Sequence, residues 1–248
     1  MDITSLSRDN IKAGLDRHAS EQEQTRIIIS PQKITSDNFD AVCKTYSQIG
    51  SKDFKTVVVV ESTPGSVEKK LLMPSFKKIE THLGVVEAND RLRNDFADED
   101  DDFFINDHAF GKDASLYHQL VMLQCVLDDF TVSHIQITDE NSIIIKELAM
   151  ALEEILPSRN ALLVCCCDLA HADKNEIDQI SEFLDKDNQS GLMNYLNSGV
   201  SSITGIGSFI TGLLVAKKWG LNIQFENDSD SESIHSGYAV MQNQPIFE

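Results

Sequence analysis

A thiol, a carboxylate and an imidazole fall within one short stretch, at Cys167, Asp168 and His171. Such a trio suits nucleophilic chemistry: a neighbouring imidazole lowers the thiol pKa and acts as base, while the carboxylate orients it or serves as a second acid. Cys167 closes the run Ala161–Cys167 (ALLVCCC), which reads as a buried strand. The carboxyl ends of strands are where open α/β sheets place their ligands. The plainer reading treats Cys165, Cys166 and Cys167 as small hydrophobes in that strand. Neighbours on a strand point to opposite faces, so the triplet makes no disulfide framework, and it lacks the CxxC spacing of a structural zinc site.

Other motifs fail on their own chemistry. Asp185-Lys186-Asp187-Asn188 begins like a calcium loop, but the sixth and twelfth positions, which need Gly and a bidentate Glu, hold Ser190 and Leu196. Gly205-Ile206-Gly207 begins like a dinucleotide fingerprint, yet Ile210 stands where the third Gly belongs and no strand leads directly into it. It reads as a helix start whose small residues allow close packing. No Gly-Lys-Ser or Gly-Lys-Thr of a phosphate-binding loop occurs. The carboxylates of Asp98–Asp102, within the acidic loop expected over Asp95–Asp102, suit a hard cation, but such charge runs are ordinarily solvated. His18, His82, His108, His118, His134 and His235 fall at no metal-binding interval and read as structural or surface histidines.

The elements that must position Cys167 and its neighbours are legible as punctuated runs. Arg26–Ser30, stopped by Pro31, and Thr56–Val60, followed by the Pro64-Gly65 turn, read as buried strands. Phe39, Val42, Cys43, Tyr46 and Ile49 recur at helical spacing up to Gly50. Asp113 is placed to cap a helix carrying Leu116, Leu120, Leu123 and Leu127; Phe130–Ile137 alternates as a strand, and Ser142–Leu156 is helical. Asp173 with Glu176 has the form of a capping box opening a helix through Ile177, Ile180 and Leu184. Helices follow near Gly191–Leu196 and over Ser208–Trp219, the latter closed by Gly220, and two strands, Leu221–Glu226 and Ser233–Gln242, complete the series. Strands alternating with helices indicate a three-layer α/β/α sandwich on a mostly parallel mixed sheet, with the last two strands as the antiparallel candidates. No linker divides residues 1–248, so a single domain is expected, and no repeat is visible.

Composition narrows the function. The chain has 41% hydrophobic and 25% charged residues, as a globular protein does, but a net charge of −19. That charge argues against nucleic acid and against an anionic membrane surface, and serves solubility. Met1–Ser20 shows no secretory signal, and no apolar window is long enough to span a bilayer. Five Cys with no disulfide pattern suit a cytoplasmic protein.

The C-terminal third carries a resemblance. LLVCCCDLAHAD, a helix, the segment MNYLNSGVSSITGIGSFITGLLVAKKWGLNIQFENDSDS and then SGYAVM are similar to the Memo family, and the similarity extends backwards over nearly the whole chain. That resemblance implies a fold like the class III extradiol dioxygenases and a pocket where His, Asp and Cys can hold a metal. Asp168 and His171 match the family's Asp-x-x-His, with Cys166 and Cys167 in place of two Ser. The other metal positions are replaced: Gln32 stands for a His, Glu61–Pro64 for a turn ending in His, and Ala114 for the His before Ser115. Thr204 or Gly205 stands for a pocket Cys. Gln32, Thr63, Ser115, Thr204 and Gly205 are thus the residues expected to line a ligand pocket. A non-haem metal needs about three protein donors, so no metal and no cofactor are expected. The resemblance implies a degenerate scaffold that binds a protein or small molecule in an accessory role, with a metal-free enzyme using Cys167, His171 and Asp168 as the alternative. A metal-dependent dioxygenase that recruits Gln32 is the more distant one.

Overall fold

The structure is a computed structural model and describes residues 2–18, 25–50, 54–65, 70–107, 115–169, 174–227 and 233–241. Its sheet is centred on four parallel strands: β1 (Thr25–Ser30), β2 (Thr56–Ser62), β7 (Thr131–Ile137) and β8 (Ala161–Cys166). Three of these are continuous runs of Ile, Val, Leu or Cys, and such runs suit strands covered on both faces. Across the sheet β8 lies between β1 and β2, with β7 on the far side of β2. Two antiparallel strands, β10 (Ile234–Met241) and β9 (Leu221–Asn227), extend it beyond β1. On the other side β7 pairs with β5 (Gly84–Ala88) along its first half and with β3 (Leu71–Met73) along its second. β4 (Lys78–Thr81) then borders β5, and β6 (Phe103–Ile105) borders β3.

Alternation along each strand divides the core into two halves. Ile28, Val57, Val59, Leu162, Val164 and Cys166 pack under α1 (Arg8–Asp16), α2 (Phe39–Tyr46) and α4 (Ser115–Val126). Ile27, Ile29, Val58, Val60, Leu163, Cys165 and Cys167 face α3 (Asp90–Glu99), α5 (Ser142–Ile155), α6 (Lys174–Asp185), α7 (Gln189–Ser198) and α8 (Ile206–Lys218). The outcome is the expected three-layer α/β/α sandwich. Local chemistry sets the helix ends: Asn141 accepts from the N–H groups of Ile143 and Ile144 to start α5, and Gly220, at φ +67°, follows α8 in the left-handed conformation that terminates it.

One expectation changes. The acidic stretch Asp95–Asp102 is largely helical, because α3 buries Leu92 and Phe96 one turn apart and turns its carboxylates outward. Around α3, between β2 and α4, the chain also forms the short strands β3 to β6. Asp113 and Asp173, the anticipated helix caps, lie outside the described residues. Glu176 accepts from the Tyr195 hydroxyl at 2.5 Å and from the Ser201 hydroxyl at 2.6 Å, tying α6 to the segment before α8. Among the described residues no helix is long and apolar enough to cross a membrane.

Candidate functional site

The carboxyl ends of β1, β8 and β2 lie side by side, with Cys166 in register with both Ser30 and Glu61. Beyond them the chain is stitched together by backbone and amide groups. Cys167 N–H donates to Ser30 O at 2.9 Å, and Gln32 N–H donates to Asp168 Oδ1 at 3.0 Å. Asp168 and Thr204 exchange backbone hydrogen bonds at 2.9 and 3.3 Å. The Gln32 side chain crosses the mouth of the sheet, its Nε2 donating to Ser62 O at 3.1 Å. Gly205 sits beside it at φ +78°, where a Cβ would lie 3.0 Å from both Cys166 O and Gln32 Nε2. Gln32, Asp168, Thr204 and Gly205 are therefore brought together, though 32 and 205 are remote in sequence. Next to them Glu140 Oε1 accepts from Ser62 Oγ at 2.5 Å and from Gly207 N–H, in the first turn of α8, at 2.9 Å.

The other face of the sheet holds a polar cluster that the sequence reading missed. Glu61 and His134 are 1% and 2% exposed, and His134 Nε2 lies 3.2 Å from Glu61 Oε1. Gln136 Nε2 donates to the same oxygen at 3.2 Å, and Ser115 N–H, at the start of α4, donates to Glu61 Oε2 at 2.8 Å. Burial alone would push the Glu61 carboxyl up; the His134 charge and the hydrogen bonds from His134 and Ser115 outweigh it and hold the group at about 2. The Glu61 carboxylate thus faces the His134 ring inside the protein. Further along this face Gln119 Nε2 donates to Pro31 O at 2.9 Å, the Tyr46 hydroxyl donates to Gln119 Oε1 at 2.6 Å, and His118 Nδ1 accepts from Ile34 N–H at 3.1 Å. The signal for Glu61 was in the strand all along: it continues the alternation of Val57 and Val59 on a buried face.

The remaining site candidates are dispersed. Ser115 is buried on the α4 side, so the sheet separates it from Gly205. Thr63 is exposed just past β2, its N–H bonded to Ile137 O at 2.9 Å. Cys167 is fully buried in the half of the core beneath α8. Burial, with lesser contributions from Cys165 and Asp168, pushes its thiol well above the ordinary range. His171 lies outside the described residues.

The metal that the resemblance implies does not fit the donors present. Gln32 offers an amide already bonded to the backbone, Gly205 has no side chain, and Asp168 Oδ1 accepts from Gln32 N–H. Among the described residues no three His, Cys, Asp or Glu side chains gather as ligands for one ion. Among the described residues, a transition metal at this sheet edge would lack its set of about three donors.

Comparison with known proteins agrees with the architecture. A MEMO1 family protein of Nitrosopumilus maritimus (strain SCM1) is 26% identical over 149 residues, which are 60% of this chain and 54% of that protein. The chain thus spans about half the length of the curated relative it matches. An uncharacterized protein of Escherichia coli K12, known from its crystal structure, superposes with a TM-score of 0.53 over 88% of this chain and 100% of its own. At 16% identity that likeness concerns the fold. The family model for Memo-like proteins matches residues 3–239, and the chain belongs to that family.

Proposed function

We propose that this chain is a Memo-family scaffold that binds a protein or a small molecule at the mouth of its sheet without metal chemistry. One observation carries the reading: Gln32, where the family resemblance places a His, and Thr204-Gly205, one of which stands for its Cys, meet at that mouth, where the Gln32 amide is bonded to backbone instead of free to hold a metal. The net charge of −19 speaks against nucleic acid as the ligand, and five unpaired thiols suit a cytoplasmic setting. The test is elemental analysis of purified protein after anaerobic loading with Fe(II) or Zn(II) and desalting. The expected result is far less than one metal per chain; one metal per chain, lost in His171→Ala, overturns the proposal.

An enzyme that reuses Cys167, Asp168 and His171 ranks second, because the thiol is buried and hard to ionise. Alkylation of the native protein separates the two readings. Cys125 is partly exposed and the other four thiols are buried, so iodoacetamide is expected to label Cys125 first and Cys167 only on unfolding. Rapid, selective labelling of Cys167 near neutral pH would instead favour the enzyme.

A further inference from the structure

β7 changes partner along its outer side. Thr131 and Val132 pair with β5, and Gln136 and Ile137 with β3, so among the described residues 133–135 have no strand partner on that side. At the interruption lies a small cavity of about 10 Å³, with Pro74, Asn89, Arg93 and Ser133 in its wall. That is about the room of a single water and far too little for an organic ligand. Two polar groups in the wall have no hydrogen-bond partner among the described residues. Ser133 is 4% exposed, and its Oγ is one of them. The other is the buried Nε of Arg93, on α3. The rest of that guanidinium is engaged: Nη1 donates to Pro74 O at 3.1 Å and to Phe76 O at 3.3 Å, and Nη2 lies 2.8 Å from Asp90 Oδ1. These contacts fix the plane of the group, so its Nε–H cannot swing away to another acceptor. Asn89 is occupied as well, its Oδ1 accepting from Leu92 N–H and its Nδ2 donating to Thr131 Oγ1, both at 3.0 Å.

We propose that this cavity binds one ordered water, which accepts from Arg93 Nε–H, shares a hydrogen bond with Ser133 Oγ and bridges α3 to β7 where the sheet is interrupted. A buried donor or acceptor left without a partner is strongly disfavoured, and an internal water is the usual remedy where such groups share a polar cavity. The two orphans are complementary to it: the guanidinium N–H can only donate, and the hydroxyl can donate or accept. Charge selects water over an ion. Asp90 already balances Arg93, so an anion gains little there, and the guanidinium repels a cation. The water would fasten the first turns of α3 to the stretch of β7 that neither β5 nor β3 covers.

A high-resolution crystal structure of the full chain, with a second crystal soaked in bromide, tests the proposal. The expected result is one water within hydrogen-bond distance of both Arg93 Nε and Ser133 Oγ, and no anomalous bromide peak at that position. In solution, magnetic relaxation dispersion of the water nuclei counts long-lived internal waters. Ser133→Val, whose methyl groups occupy the cavity, should hold one fewer than the wild type. If that variant fails to fold, the wild-type crystals decide alone. A dry cavity, a bromide peak within it, or an equal water count in the wild type and a folded Ser133→Val overturns the proposal.

Discussion

His134→Ala is expected to destabilise the fold by about 3–5 kcal/mol, the usual cost of stranding one member of a buried ion pair. For a chain of this size that lowers Tm by roughly 6–20 °C. The loss follows from what remains around Glu61: Ser115, through its N–H and side chain, and one amide from Gln136 must then satisfy a carboxylate that is 1% exposed. Replacing both partners, Glu61→Gln with His134→Gln, should recover much of the loss, since amides can hydrogen-bond without a buried charge. Differential scanning calorimetry of the wild type and the two variants decides the matter; a Tm in His134→Ala equal to that of the wild type would mean the pair contributes nothing. The pH dependence supplies a further readout. Glu61 is held at about 2, below its usual value near 4.5, so the unfolded chain takes up its proton first. Its contribution is fully present above pH 4.5 and is lost as pH falls toward 2. In His134→Ala two of the interactions that lower this carboxyl are gone, so this acid-side loss of stability should shrink. Urea titrations between about pH 3 and 7 compare the two slopes.

Gly205→Ala carries the second large effect. A left-handed backbone costs a non-glycine residue about 1–2 kcal/mol, and the new methyl would stand 3.0 Å from Cys166 O and from the Gln32 amide. The carbonyl belongs to the central strand and cannot yield, so Gln32 must move and its hydrogen bond to Ser62 O is lost. Crowding of this kind costs about 1–3 kcal/mol, giving about 2–5 kcal/mol in all. Gln32→Ala in the Gly205→Ala background should return part of it, and a double-mutant cycle by chemical denaturation measures how much. Strict additivity would show that the two residues do not compete for space.

The sheet was legible where the chain is simplest. RIIIS, TVVVV and ALLVCCC each carry a continuous apolar signal that only a strand covered on both faces explains, and all three are central strands. β3 to β6 were illegible because strands of three to five residues with interspersed charge give no measurable period. α3 was misread for a related reason: its carboxylates dominate the composition, while two residues, Leu92 and Phe96, carry its buried face. Within the site, Asp168 could be placed at a strand end from sequence, but the meeting of Gln32 with Gly205 depends on a long-range crossing that no local spacing encodes. Glu61 was passed over because a charged residue after four valines reads as the end of a strand, when it is the strand's polar contact with His134.

The first turns of α4 and α8 both point toward the strand ends, and in many α/β proteins such backbone amides cradle the phosphate of a nucleotide. Here the chain answers them from within: Glu61 takes Ser115 N–H and Glu140 takes Gly207 N–H. An incoming phosphate would find those donors already engaged and fixed negative charge in its path. If the proposed binding at this mouth holds, its ligand is expected to be neutral or positively charged rather than anionic.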